Sequence, residues 1–176
     1  MSRAIHRRGA KGTALAVALV GALVAGVGVL PSAAQNGPPP PSVEFLSPRS
    51  VFTDDVDVKI KSKRPGEDMV IANAKDPSRT VVARITVQPG AQFGWHTHPG
   101  PVVVNVAQGE LVYVPAEDCS QRRYPAGTAF IDPGQGHVHN AFNPGSVPTV
   151  LVATFFGAPA SGPLLIGAAA PEGCQI

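Results

Sequence analysis

Residues 90–109 read GAQFGWHTHPGPVVVNVAQG: two histidines separated by one threonine, His96 and His98, stand just ahead of a β-branched run, Val102 to Ala107. In an extended strand residues i and i+2 project to the same face, so His96 and His98 can aim their imidazoles at one point. A second stretch of the same kind, His137-Val138-His139, follows Gly136. The remaining histidine is His6, close to the N-terminus. Imidazole is the commonest protein metal ligand, and ligands from two distant segments converging on one face make a site. A single such pair is better read as surface or hydrogen-bonded structural histidines. Two pairs in one small domain favour a ligand or catalytic cluster.

Working outward from these motifs, the chain shows almost no helical signal. Short β-branched runs recur between Gly and Pro punctuation: Val56 to Lys61, Met69 to Ala72, Thr80 to Val87, Val102 to Ala107, Leu111 to Val114, Thr128 to Ile131, His137 to Phe142 and Thr149 to Phe156. Regular short strands with turn signals between them predict an all-β sandwich or barrel. Gln108-Gly109-Glu110 reads as a hairpin turn between two of them. Alternation places Val102, Val104 and Val106 on one face with His96 and His98, provided the ladder runs unbroken through Pro99-Gly100-Pro101. Lys59, Lys61, Lys63 and Arg64 fall at strand spacing and read as the solvated face of an edge strand.

The two histidine stretches resemble the paired motifs of the cupin superfamily, in particular small bacterial single-domain (type-2 like) cupins. Gly90, then His96-Thr97-His98 and Gly109, is similar to the first motif; Gly127, Pro133, Gly136, His139 and Asn143 are similar to the second. The resemblance covers roughly Thr80 to Phe156, with the motifs at 90–109 and 127–143. It implies a conical, jelly-roll-like β-barrel in which both motifs line one interior site. Carried over residue by residue, it implies metal ligands His96, His98 and His139 for a divalent ion, Fe, Zn, Mn or Ni. The chain departs from the family in two places. The family's glutamate ligand stands four residues after the second histidine, where this sequence has Val102, which leaves the carboxylate side of the site bare. The family's second motif separates proline from glycine by one residue, whereas Pro133 and Gly136 are separated by two.

His137, two residues from His139, is either an additional ligand or a neighbour that orients ligands and moves protons; the Gly-rich approach Pro133-Gly134-Gln135-Gly136 places it at the rim. Phe93 and Trp95 flank the first pair and read as core packing or the wall of a substrate pocket, Tyr113 as a packed aromatic, and Asn143 as a backbone-bonding structural residue.

The N-terminal residues and the two cysteines carry an expectation about compartment. Arg3, Arg7, Arg8 and Lys11 precede an uncharged apolar run, Thr13 to Leu30, followed by Ser32-Ala33-Ala34. This pattern predicts a signal peptide over residues 1–34, cleaved after Ala34, and a secreted or extracytoplasmic protein; an uncleaved N-terminal anchor is the alternative and the one route to a membrane. Residues 35–42, with Pro38 to Pro41, read as a stiff linker, and residues 43–176 as one domain. Without residues 1–34 the chain carries ten Lys and Arg against twelve Asp and Glu, a net charge of −2. The basic balance of the full sequence is thus a targeting feature and gives no support for a nucleic-acid partner. Cys119 and Cys174 are the only cysteines. In an oxidising compartment they predict one disulfide tying the tail to the barrel, with two free thiols as the alternative.

No Ser-His-Asp set or phosphate-binding glycine loop stands out, which disfavours hydrolase and nucleotide-dependent chemistry. Two functions stay open. One is an oxygenase or isomerase acting on a small substrate that chelates the metal. The other is a non-catalytic small-molecule-binding cupin, without the motif glutamate and without tight metal binding. Either acts alone or as a homodimer.

Overall fold

The computed structural model describes residues 37–74, 77–174 and 176. The export signal expected over residues 1–34 lies outside the described residues, as do Gln35 and Asn36 of the linker. Every regular element among the described residues is a strand.

Thirteen strands follow in order: β1 (Ser42–Phe45), β2 (Ser50–Val51), β3 (Val58–Lys63), β4 (Met69–Ala74), β5 (Arg79–Val87), β6 (His96–Thr97), β7 (Val102–Gln108), β8 (Glu110–Pro115), β9 (Arg122–Pro125), β10 (Ala129–Asp132), β11 (His139–Phe142), β12 (Thr149–Phe156) and β13 (Ile166–Gly167). They form two antiparallel sheets, ordered β1-β5-β12-β7-β10, with β2 also on β5, and β13-β6-β11-β8-β9. Strands β3 and β4 pair with each other alone. The expected all-β architecture is what the chain adopts.

Period-two alternation builds the core. On β5 the side chains of Val81, Ala83, Ile85 and Val87 are buried; on β12 Leu151, Ala153 and Phe155; on β7 Val102, Val104 and Val106. Leu111 of β8 and Ala141 of β11 join them from the second sheet, so the inner faces of both sheets close on one cluster. Each fully buried Val or Leu contributes about 1.5–3 kcal/mol relative to exposure. Lys59, Lys61 and Lys63 point to solvent on β3, as their spacing requires.

Two expectations about connectivity need correction. Gln108-Gly109-Glu110 does not close a hairpin: β7 pairs with β12 and β10, and β8 with β11 and β9. The turn is a corner at which the chain leaves one sheet for the other. Gly109 is required there, since it has φ +72° and a β-carbon would lie 2.9 Å from the Pro148 carbonyl oxygen. The ladder is also broken at Pro99-Gly100, so His96 and Val102 belong to different sheets. They still share an interior, because the two sheets face each other.

Cys119 and Cys174 lie at bonding distance, with α-carbons 5.3 Å apart, within the span of a disulfide. They close a loop of 55 residues. Chain-entropy arithmetic assigns such a loop about 4 kcal/mol. We expect the Cys119→Ser, Cys174→Ser variant to unfold at lower denaturant concentration by up to this amount; an unchanged midpoint would show that the tail does not constrain the unfolded chain.

Candidate metal centre

The first histidine pair sits on a very short strand. β6 holds only His96 and Thr97, clamped between β13 and β11. Its register sets His96 directly opposite His139, the first residue of β11. Cross-strand partners face the same side, with β-carbons about 4.5–5.5 Å apart, and here the two rings lie 4.1 Å apart between centroids. His98, two residues on, turns to the same interior, its ring 4.9 Å from that of His96. All three are buried, and one ring nitrogen from each lies within 4.8 Å of the others.

Backbone carbonyls choose the tautomers. His96 Nδ1 donates to the Gly94 carbonyl at 2.7 Å, and His98 Nδ1 donates to the Leu164 carbonyl at 2.7 Å. A carbonyl oxygen only accepts, so both Nδ1 atoms carry hydrogen and Nε2 is the nitrogen left to bind a metal. Such partners fix a ligand's orientation. Burial, followed by the neighbouring His139, lowers the His96 pKa to about 3, which keeps its ring neutral. His139 is packed by Tyr113, stacked at 4.7 Å, and its Nδ1 is buried without a hydrogen-bond partner. Phe93 tilts against His96, and Phe155 meets the His98 ring edge-on at 5.4 Å.

Beside Val102, where the first motif offers no carboxylate, the structure places Asp132. This residue ends β10 and is the direct register partner of Val102 on β7. The residue is 2 % exposed. Oδ1 accepts the Gly134 N–H at 2.8 Å, while Oδ2 lies 2.9 Å from His139 Nε2 and 3.4 Å from His98 Nε2. Burial alone would raise its pKa, but the imidazoles of His139 and His98 outweigh burial and hold the carboxyl well below the usual range. Sequence reading missed Asp132 because Asp132-Pro133-Gly134 looks like an ordinary turn. The available signal was its place at the end of a β-branched run shortly ahead of His139.

The departure in the second motif has a local explanation. Gly134, Gln135 and Gly136 all have positive φ, at 57°, 54° and 93°. This tight left-handed segment absorbs the extra residue between Pro133 and Gly136. It is tied back to the first motif by the Gln135 N–H to the His98 carbonyl at 2.8 Å and the Gly136 N–H to Thr97 Oγ1 at 3.1 Å.

The other candidates fall in distinct places. His137 precedes β11, is exposed, and meets Glu117 Oε1 at 3.0 Å; it is outside the three-histidine group. Asn143 has the expected structural role, donating to the carbonyls of Val87 and Val147 and accepting from the Gly145 N–H. Phe93 lines the interior cavity, whereas Trp95 lies outside it.

That interior cavity is small, about 40 Å³, and holds Tyr113, Phe130 and the four polar residues His96, His98, His139 and Asp132 among its lining. A second, apolar chamber of about 380 Å³ shares Ile85, Phe93, His98 and Phe155 with it and has Arg49 as its one residue of fixed charge. Its volume is in the range of small-molecule sites. Arg49 donates to the carbonyls of Pro159 and Gly162, each at 2.5 Å, holding the C-terminal loop at this chamber. A donor set of three buried imidazoles, two of them oriented by backbone carbonyls, fits a divalent cation and could hold one.

A family model described as "Cupin domain" matches residues 83–155. No curated protein matches the sequence. Among solved structures, a conserved protein with a double-stranded beta-helix domain from Klebsiella pneumoniae is 29% identical, with 47% of this chain and 70% of that one covered and a TM-score of 0.42. The polyketide cyclase RemF from Streptomyces resistomycificus is 15% identical, covering 54% and 64%, with a TM-score of 0.44. An oxalate oxidase is 25% identical, covering 50% and 45%, with a TM-score of 0.42. The match therefore spans less than two thirds of the cyclase and less than half of the oxidase. Both histidine motifs lie inside the matched segment: residues 83–155 match a cupin domain, and the strands around them fold as an all-β cupin.

Proposed function

We propose that the protein is an exported, metal-dependent cupin enzyme that holds a divalent ion through His96, His98 and His139 and acts on a small metal-chelating substrate, as an oxygenase or isomerase. The observation that carries this reading is the convergence of three buried imidazoles to within 4.8 Å on one interior point. A bound divalent ion would supply Lewis-acid or redox chemistry there. The chain's own residues do the rest. Gly94 and Leu164 hold the rings of His96 and His98 in the ligating tautomer. Phe93, Phe155 and Ile85 keep the approach apolar and dry, which strengthens electrostatic contacts to whatever enters. Arg49 adds a positive charge to that approach, which suits a substrate with an apolar body and an anionic end.

The test is metal loading followed by assay of small oxygen- and sulfur-chelating acids. Protein loaded with Fe, Mn, Ni or Zn should consume or rearrange at least one of them, and the metal-free protein none. Binding of such compounds with equal affinity and no turnover, with or without metal, would instead support the non-catalytic binding module, for which the chamber of about 380 Å³ is large enough.

Export is part of the same proposal. The paired Cys119 and Cys174 are compatible with an oxidising compartment. Mass spectrometry of protein recovered outside the cytoplasm should find an N-terminus at Gln35. An intact Met1 would favour an anchored form.

A further inference from the structure

We infer that Asp132 is a fourth, monodentate ligand of the metal, replacing from the neighbouring strand the carboxylate that the first motif lacks. This rests on the reading of His96, His98 and His139 as a metal site and adds a ligand to it.

Three observations carry the inference. The first is register. Asp132 on β10 is the Cα partner of Val102 on β7, the position where a first-motif glutamate would stand. Antiparallel partners project to the same face, so a carboxylate at residue 132 enters the interior beside the side chain at 102. The second is spacing. Ligands at about 2.0–2.2 Å from one ion lie about 3.0 Å apart at adjacent octahedral positions and about 3.4 Å apart at tetrahedral ones. Asp132 Oδ2 lies 2.9 Å from His139 Nε2 and 3.4 Å from His98 Nε2, within the range that ligand atoms sharing one ion occupy.

The third is orientation. His98 gives its Nδ1 hydrogen to the Leu164 carbonyl, which leaves Nε2 turned toward Oδ2. Oδ1 is already committed to the Gly134 N–H, which orients the carboxylate and leaves Oδ2 as the ligating atom. The charge also balances better. Three neutral imidazoles leave a divalent ion at +2 in an apolar cavity, and Asp132 halves that charge.

The inference is tested on the full mature chain stripped of metal and titrated with Zn²⁺ and Co²⁺, comparing wild type, Asp132→Asn and His96→Ala. Asparagine keeps the shape and an oxygen for the Gly134 N–H but not the charge. Asp132→Asn should weaken Zn²⁺ binding by more than about 100-fold, beyond the 10- to 100-fold cost of losing a partner that only orients a ligand, and should alter the Co²⁺ visible absorption spectrum. Undiminished affinity with an unchanged Co²⁺ spectrum in Asp132→Asn would overturn the inference while leaving the three-histidine site intact. Failure of the wild type itself to bind either ion would overturn the underlying metal reading. Because Asp132→Asn can disturb folding, difference infrared spectra of the wild type with and without Zn²⁺ give an independent readout. A shift of carboxylate bands toward monodentate coordination is expected, and its absence counts against Asp132.

Discussion

Replacing His96 and His98 together by alanine should abolish divalent-metal binding to the folded protein. The pair supplies two of three imidazoles, and His139 with at most the Asp132 carboxylate cannot hold an ion that three converging rings would share. The barrel should survive. Both histidines lie at the edge of a two-residue strand, while the apolar core is built on β5, β7 and β12. The Gly94 and Leu164 carbonyls lose their donors, at a cost of about 1–3 kcal/mol each if water does not replace them. Calorimetric titration with Zn²⁺, read beside circular dichroism, checks this. Native-like affinity in the double variant would remove His96 and His98 from the site.

The second large effect is structural and lies at Gly134. A β-carbon there would sit 2.1 Å from the Gly100 carbonyl oxygen and 3.1 Å from that of His98, and φ is +57°. The obstacle is backbone, so it cannot rotate away as a side chain would. Gly134→Ala should cost about 2–4 kcal/mol from overpacking and the left-handed conformation together. It should also weaken metal binding, because the segment it displaces carries the hydrogen bonds from Gln135 to His98 and from Gly134 to Asp132. Gly136→Ala is the control: it shares the positive φ, at +93°, but has nothing within 4 Å. Thermal denaturation of both variants should rank Gly134→Ala as clearly the less stable. Equal losses would mean that conformation alone, and not the crossing of the two motifs, makes Gly134 necessary.

These two sites show what the sequence could and could not reveal. Strands with clean alternation, such as Thr149 to Phe156, were legible to the residue, because one face is buried and period two is then obligatory. Strands β1, β2, β6, β9 and β13 were not, being short, exposed or polar and defined by their partners. Gly109 between two apolar runs gave the signal of a hairpin, but a glycine turn says only that the chain bends, and here it bends between sheets.

The histidines were legible for a related reason. His96 and His98 are neighbours in sequence, and the motif resemblance supplied His139, which register places opposite His96. Asp132 is different. It reaches the cluster only through the pairing of β10 with β7, a contact across 30 positions that no local pattern encodes. The same holds for the Leu164 carbonyl, which orients His98 from 66 residues away.

The metal content of the wild-type protein, purified without chelator and analysed for all transition elements, bears most directly on the claim that this cupin holds an ion through His96, His98 and His139. One divalent ion per chain is expected, removable by chelator and restored on titration. Folded protein that carries no such ion and takes up none of Fe, Mn, Ni or Zn when they are supplied would contradict it.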